Sequence, residues 1–414
     1  MIRRQEAAAL VGIALLACGG PLPARAQTSQ PARVEIGFGL GPVSRARKYA
    51  PALRRVYADG FRVMRVYEPF VRGDGGMIAP IVRQLQYLDS LGFTPYFDVS
   101  DFPHALDTGD RAAATFPAGK RDPLFEHTNR YPPASPQLDS LMSDLIAQFD
   151  HAFGRARLLR WYFEFGNEPD AASFFWGSPE DFARLLHVAV ARYHAYDPTL
   201  TVGGGAFTAG VVRRPASRAR YAALARELAD SHDAFVSFHV YAGLQPWSDL
   251  GAAINALLGP PAGRLRVISE WNVSSRADRA TAAVLSSPDA VGPYLIDLLA
   301  GAADGGVGLV LVHKLMDEPG EEQLGLFDAA GRPKASYDLV RQAVDFARRG
   351  FTVARSDDGG VRLEGATLTW VEAGQNPVQI DPRTYTVVAP AGAGRIPAHG
   401  WALLRRRGAT DAQP

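Results

Sequence analysis

The sequence predicts an α/β protein: a (β/α)8 TIM barrel with a small C-terminal all-β accessory domain. Three observations lead to this prediction. From about residue 34, short apolar runs alternate with longer amphipathic segments. Eight such pairs follow one another over about 310 residues, which is the order and length of a (β/α)8 barrel. After Arg349 the helical period ends, and short β-branched runs are separated by Gly, Pro, Asn and Asp.

The predicted barrel strands are short, continuous apolar runs, as expected for parallel strands covered on both faces. They lie at residues 34–40, 61–66, 93–99, 159–165, 200–203, 234–240, 265–269 and 308–313. The predicted helices lie at residues 44–58, 78–91, 138–153, 179–196, 219–229, 250–258, 284–303 and 335–347. A long loop rich in Pro, Asp and Gly covers residues 101–136.

An open doubly wound sheet is the alternative fold. It would carry a glycine-rich phosphate loop after its first strand. Gly37, Gly39 and Gly41 occur there, but no third glycine stands at the required offset and no acidic residue is suitably placed. The barrel is therefore preferred, with the catalytic part at residues 27–350, a small β-sandwich-like module at 351–407 and a tail at 408–414. The module's predicted strands lie at residues 361–371, 378–380, 384–388 and 402–404.

The N-terminus resembles a secretory signal peptide at residues 1–26. Arg3 and Arg4 precede the apolar run 7–17, and residues 24–26 form a small-x-small cleavage site. We expect an exported protein, periplasmic or secreted. A lipoprotein signal ending at Cys18, with a lipid anchor there, is the open alternative. Cys18 is the only cysteine, so cleavage after residue 26 removes the one thiol available for a disulfide.

Composition and the absence of certain motifs argue against several other classes of protein. The 414 residues carry a formal net charge of +1, which argues against nucleic acid as a partner, since phosphate binding needs clustered positive charge. No stretch after the N-terminus is long enough to be a membrane span. The nine His are scattered without an HExxH motif, and no GxSxG motif occurs. The sequence predicts no metal and no organic cofactor, and it leaves the oligomeric state open.

Two glutamates stand at the ends of strand-like runs. Asn167, Glu168 and Pro169 follow one run in WYFEFGNEPD, and Glu270 follows another in RVISEWNVSS. Carboxylates at the C-terminal ends of barrel strands face the end where active sites are built. Two of them in one cleft can act as proton donor and nucleophile in glycoside hydrolysis. Each alone could equally be a helix cap or a loop acid; together they predict a catalytic pair.

Polar residues on the neighbouring strands are the next candidates. His239 and Tyr241 lie two apart at a strand end, so they point to the same side. Arg65 stands within an apolar strand and needs a carboxylate partner when buried. Glu164 and Glu270 are both possible partners, and the sequence does not decide between them.

With these residues, the chain resembles family 39 of the retaining clan A glycoside hydrolases, a family that includes β-xylosidases and α-L-iduronidases. The resemblance runs from about residue 34 to 346 and is strongest over 161–207, SFHVYAG, ISEWNVSS and residues 324–340. It implies Glu168 as acid/base and Glu270 as nucleophile. It also implies Asn167, His239 and Tyr241 as ligands of the sugar next to the cleaved bond. The small β-module is similar to the accessory domain of such enzymes.

The chain departs from the family at the eighth strand. His313 and Lys314 stand where an aromatic residue commonly underlies the sugar, and Lys314 suggests an acidic or substituted glycan. Trp271, beside Glu270, is a further substrate-binding candidate. We expect a retaining glycosidase that cleaves a poly- or oligosaccharide by double displacement. The alternatives are an inactive glycan-binding barrel and, with Lys314 as the amine, a Schiff-base lyase.

Overall fold

The computed structural model describes residues 31–67, 78–100, 135–171, 174–175, 177–231, 234–276, 278–318, 323–390 and 394–409. The predicted signal peptide with Cys18, and the loop at 101–136 except for its last two residues, lie outside this part of the chain. Within the described ranges, no helix combines the length and apolar character needed to cross a membrane.

Eight parallel strands close into a barrel in chain order, which confirms the predicted fold class. They are β1 (Glu35–Pro42), β2 (Val63–Tyr67), β3 (Thr94–Val99), β4 (Tyr162–Phe165), β5 (Thr201–Phe207), β6 (Phe235–Tyr241), β7 (Arg266–Asn272) and β8 (Leu309–His313). The sheet closes because β8 pairs with β1 in parallel, with Leu309 opposite Glu35.

Helices surround the barrel. They are α1 (Ala50–Ala58), α2 (Ile78–Ser90), α3 (Ser135–Phe153), α4 (Arg155–Leu158), α5 (Pro179–Tyr196), α6 (Ala209–Arg213), α7 (Pro215–Asp230), α8 (Leu250–Leu258), α9 (Arg279–Leu285), α10 (Pro288–Asp304) and α11 (Tyr337–Arg349). The helix predicted from residue 44 begins later, at Ala50, with Pro51 in its first turn, where a missing N–H has no cost. A 3-10 turn, Val43–Arg45, precedes it.

The barrel interior is apolar in its lower part and polar above. Inward-facing side chains of several strands form a small buried cluster, comprising Val63, Tyr96, Phe235, Val267, Leu309 and Leu311. Two residues further along the strands, the inward positions carry Arg65, Asp98 and Ser237, and further polar side chains such as His239 follow. Because alternate residues of a strand face the same side, this polar layer lies directly above the apolar one. The functional groups therefore rest on a packed floor.

The C-terminal region is all-β. Its strands are β9 (Phe351–Arg355), β10 (Val361–Gly365), β11 (Leu368–Glu372), β12 (Val378–Gln379), β13 (Tyr385–Ala389), β14 (Arg395–Ile396) and β15 (Trp401–Arg406). Five of them form an antiparallel sheet in the order β13-β15-β11-β10-β9, and β12 pairs with β14.

One strand prediction for this region was wrong. Residues 361–371 form a hairpin of β10 and β11, because the chain reverses after Gly365. The strands β9 and β14 were not predicted. The sheet packs on α10, where Trp401 Nε1 donates to the Asp289 carbonyl at 2.8 Å. A Cβ at Gly292 would lie 2.1 Å from the Trp401 ring, so only glycine allows this contact.

Candidate active site

The two predicted glutamates meet at the C-terminal end of the barrel. Glu168 follows β4, with a left-handed backbone (φ 47°), and its N–H donates to the Ala206 carbonyl at 3.1 Å. Glu270 lies within β7. One oxygen of each carboxylate and one nitrogen of His239 all lie within 4.8 Å of one another. The two acids therefore face a single cleft.

The backbone before Glu168 depends on a glycine. Gly166 has φ 89°, and a Cβ there would lie 2.4 Å from the Phe182 ring. The left-handed conformation and the close ring both disfavour any other residue. Gly166 thus lets the chain leave β4 and turn so that Asn167 and Glu168 reach the cleft.

Arg65 is the central cation of the cleft. It is 3% exposed, and three of its nitrogens reach carboxylates. Nε donates to Glu164 at 2.8 Å, Nη1 to Glu270 at 2.7 Å and Nη2 to Asp98 at 2.9 Å. Both possible partners that the sequence offered, Glu164 and Glu270, thus bond to Arg65. Asp98 is a third partner that was not predicted.

Arg65 also orders two neighbours. Its Nη2 donates to Asn167 Oδ1 at 3.1 Å, and Tyr96 donates to the other oxygen of Glu164 at 2.9 Å. A buried arginine bonded on several sides by carboxylates has a fixed position and a permanent charge. Asn167 consequently lies beside the catalytic candidates, as its sequence position suggested.

Several groups stabilise the ionised form of Glu270. Burial alone would raise the pKa of this carboxyl group. The charges of His239, His313 and Arg65, together with a hydrogen bond from the Tyr241 hydroxyl, outweigh burial and hold the pKa well below its ordinary value. His313 Nδ1 lies 3.6 Å from Glu270 Oε1. Glu270 is therefore an anion at neutral pH, the state that a nucleophile requires.

His239 lies between the two acids. Its Nδ1 is 2.8 Å from Glu168 Oε1 and 3.4 Å from Glu270 Oε2. Burial lowers its pKa, but the negative charges of Glu270 and Glu168 and the hydrogen bond to Glu168 raise it above the ordinary value. The three residues also lie close enough together to hold a metal ion. Arg65 already supplies a cation to Glu270, which opposes the binding of a second one.

Two further substrate-binding candidates, Trp271 and Lys314, make other contacts. Trp271 is 2% exposed in the core, because it follows Glu270 on β7 and points to the opposite face. Lys314 is 6% exposed, and its Nζ donates to Glu318 at 3.1 Å, so its charge is compensated. Arg45 also pairs with Glu318. Trp271 therefore faces away from the two catalytic candidates, and Lys314 is engaged with Glu318.

The fold and the paired acids first define a class: a (β/α)8 barrel with a two-carboxylate site at the C-terminal end of its strands. Comparison with known proteins narrows it. Residues 78–246, which include Glu168, match the sequence profile of Glycosyl hydrolases family 39.

A β-xylosidase of Caldicellulosiruptor saccharolyticus is 27% identical over 141 residues, which cover 33% of this chain and 27% of that protein. The chain thus matches only about a quarter of that relative's length.

Solved structures share the fold. A monomeric β-xylosidase from Caulobacter crescentus superposes with a TM-score of 0.61 at 19% identity, covering 87% of this chain and 80% of that one. A family 39 enzyme from Xanthomonas axonopodis pv. citri gives a TM-score of 0.60 at 18% identity, covering 89% and 80%. The resemblance to the family 39 glycosidases is confirmed.

Proposed function

We propose that this protein hydrolyses O-glycosidic bonds of an oligo- or polysaccharide with retention of configuration. The observation that carries the proposal is the spacing of Glu168 and Glu270, whose oxygens approach within 4.8 Å. Retaining glycosidases hold their two carboxyl groups about 5–5.5 Å apart, whereas inverting ones need about 6.5–9.5 Å to admit a water between acid and base. The short spacing supports double displacement.

In the first step, a carboxylate oxygen of Glu270 attacks the anomeric carbon. A bond forms between that oxygen and the carbon, and the bond to the leaving oxygen breaks. Glu168 gives its proton to the leaving oxygen, which departs as an alcohol. Arg65 and Tyr241 hold Glu270 in place and ionised before the attack.

In the second step, Glu168 acts as a base. It takes a proton from a water molecule, whose oxygen attacks the anomeric carbon. The ester bond to Glu270 breaks, the sugar leaves as a hemiacetal, and Glu270 regains its charge. Two inversions give net retention. Asn167 and His239 lie beside the reacting bond and bind sugar hydroxyls in this proposal.

β-Xylosides are the first substrates to test. The C. saccharolyticus relative and the C. crescentus structure are both named β-xylosidases. Within this chain, the pairing of Lys314 with Glu318 removes one reason to expect an acidic sugar at the cleaved bond itself. A neutral pentose in that subsite is consistent with the geometry.

A fluorosugar experiment tests the proposal. A 2-deoxy-2-fluoro-β-xyloside with a good leaving group should inactivate the enzyme, and mass spectrometry should find the label on the peptide that contains Glu270. Glu270→Gln should prevent labelling and abolish turnover of aryl xylosides. Glu227→Gln, an exposed acid on α7, should behave as wild type. Label on another peptide would refute the assignment of the nucleophile. Binding of oligosaccharides without turnover of any aryl glycoside would favour the glycan-binding alternative.

The location of the protein stays a prediction. Residues 1–26 support export, with cleavage after residue 26 or lipidation at Cys18. Mass measurement of the mature N-terminus distinguishes the two forms.

A further inference from the structure

A second cavity, of about 610 Å³, lies on the same face of the barrel as the two glutamates. It is formed by the segments that follow β5 and β6, which emerge at the C-terminal end of the strands. Its polar and aromatic lining includes Arg213, Arg218, Gln245, Trp247 and Asp249. No step of the proposed mechanism uses this cavity.

Arg213 is held in a fixed orientation. Its guanidinium lies 3.8 Å from the centre of the Trp247 ring, and Nη2 donates to the Ala242 carbonyl at 3.0 Å. Trp247 is only 6% exposed, whereas Arg213 is exposed. Stacking and one hydrogen bond fix the plane of the guanidinium and leave most of its five N–H groups for a ligand.

Arg218 provides a second guanidinium. It donates from Nη2 to the Val212 carbonyl, while its buried Nε has no hydrogen-bond partner in the described part of the chain. Buried donors are nearly always bonded, so an unpaired one calls for a ligand or a water molecule. Neither arginine forms an ion pair with a described carboxylate, and among the described lining residues Asp249 is the one acidic side chain. The cavity therefore has an excess of positive charge.

The cavity lining and the catalytic cleft both include residues at the end of β6. Ala242, which accepts the bond from Arg213, follows directly on Tyr241, which donates to Glu270. The Ala242 N–H is bonded to the Asn272 carbonyl at 3.1 Å, two residues beyond Glu270. Neighbouring residues of one strand end thus contribute to both sites, and in the proposal below one saccharide chain contacts both. Trp247 is covered by Arg213, so it offers no free face for stacking a neutral sugar.

We propose that this cavity binds an anionic substituent of the substrate, a uronate carboxylate or a sulfate ester, on a sugar unit away from the cleaved bond. The proposal rests on the proposed function for the saccharide, and on the two guanidinium groups for the charge. Planar guanidinium donors match both kinds of anion. The substrate class is therefore a glycan that is neutral at the cleaved bond and carries a negative charge on a neighbouring unit.

Calorimetry with matched oligosaccharides tests this site. In the Glu270→Gln background, we compare xylotetraose with xylotetraose bearing one glucuronic acid and with a singly sulfated xylotetraose. At least one charged form should bind about tenfold more tightly than the neutral one, as expected for one charge-assisted hydrogen bond. The charged oligosaccharide that binds more tightly shows whether the site takes a carboxylate or a sulfate. Arg213→Gln and Arg218→Gln should each remove the preference and leave binding of neutral xylotetraose within about twofold.

The control is Arg220→Gln, an exposed arginine of α7 outside the cavity, which should keep the preference. Thermal unfolding checks that each variant is folded. If Arg218→Gln does not fold, the measurement on Arg213→Gln alone decides the test. Equal binding of charged and neutral forms, or a preference that survives in the folded arginine variants, would overturn the proposal. Turnover of aryl xylosides separates the two hypotheses: activity without charge preference refutes this site only, whereas loss of both activity and binding refutes the glycosidase as well.

Discussion

Replacing Arg65 by Met should destabilise the protein in a way that depends on pH. Arg65 is 3% exposed and donates to Asp98, Glu164 and Glu270 at 2.7–2.9 Å. Methionine fills a similar volume and adds no charge, so the variant leaves three buried carboxylates without their shared cation. The effect should come from electrostatics and only slightly from packing.

The expected magnitude follows from known buried ion pairs. Removing one partner of such a pair costs about 3–5 kcal/mol, because the remaining charge is buried without compensation. Domains of this kind are stable by only about 5–15 kcal/mol, so the loss is a large fraction of the total. We therefore expect Arg65→Met to fold and to unfold at a clearly lower urea concentration at pH 7.

The lowered pKa of Glu270 also determines how the loss of stability in Arg65→Met should change with pH. In the wild type, burial would raise the pKa of Glu270, and His239, His313, Arg65 and Tyr241 together hold it below its ordinary 4.5. That contribution to stability is present above about pH 4.5 and is lost as the pH falls through the lowered pKa. Without Arg65, Glu270 binds a proton more readily in the folded state. The deficit relative to wild type should be greatest at neutral pH and should shrink towards pH 4.

Urea unfolding followed by tryptophan fluorescence at pH 7, 5.5 and 4.5 measures this deficit. Arg83→Met, an exposed arginine on α2, is the matched control and should change the free energy of unfolding by less than about 0.5 kcal/mol. A deficit for Arg65→Met below about 1 kcal/mol at pH 7, or one that grows as the pH falls, would contradict the role of Arg65 as the shared cation.

Two further variants test other charged groups. Tyr241→Phe removes the hydrogen bond to Glu270, so the acid limb of the kcat/KM profile for an aryl xyloside should move to higher pH and kcat should fall about tenfold or more; an unchanged profile would show that the hydroxyl does not act on the nucleophile. Asp297→Asn removes a buried carboxyl group of α10, whose pKa burial raises to about 6. Burial, and after it the charge of Asp297, also raises the pKa of Glu372 on β11 to about 7. Because a raised carboxyl pKa makes the folded state less stable as pH rises, Asp297→Asn should stabilise the protein at pH 8, by about 1–3 kcal/mol, with the gain vanishing near pH 4. Thermal unfolding at both pH values measures it, and a gain of equal size at pH 4 would contradict the electrostatic cause.

The sequence predicted the barrel because each strand–helix unit carries its own local pattern. Glu168 and Glu270 were found for the same reason, since both follow or end an apolar run. The contacts of Arg65 could be predicted only in part. An arginine in a buried strand requires carboxylates, but Asp98 approaches from the neighbouring strand β3 through the register of the two strands, which local sequence does not encode.

The remaining differences between prediction and structure have separate physical causes. Trp271 is adjacent to a functional residue in sequence, and adjacent residues on a strand face opposite sides. Lys314 follows β8, where the chain turns towards Glu318, a contact set by the path of a loop. The hairpin at β10 and β11 was missed because a single Gly365 inside an apolar run is a weak turn signal.

The cleft contains two kinds of cation, and their difference fits the two steps of the proposed reaction. Arg65 keeps its charge at every accessible pH, so it holds Glu270 ionised before the attack. His239 has a charge that can change. Burial lowers its pKa, and the negative charges of Glu270 and Glu168 raise it.

Once the sugar is attached, Glu270 is a neutral ester, and its contribution to the pKa of His239 disappears. The imidazole, 2.8 Å from Glu168, then becomes easier to deprotonate in the intermediate than in the free enzyme. The proposed second step needs Glu168 to accept a proton, and a neighbouring imidazole whose pKa has fallen opposes that transfer less. In the proposed double displacement, the permanent cation beside Glu270 and the titratable one between the two acids thus serve different steps.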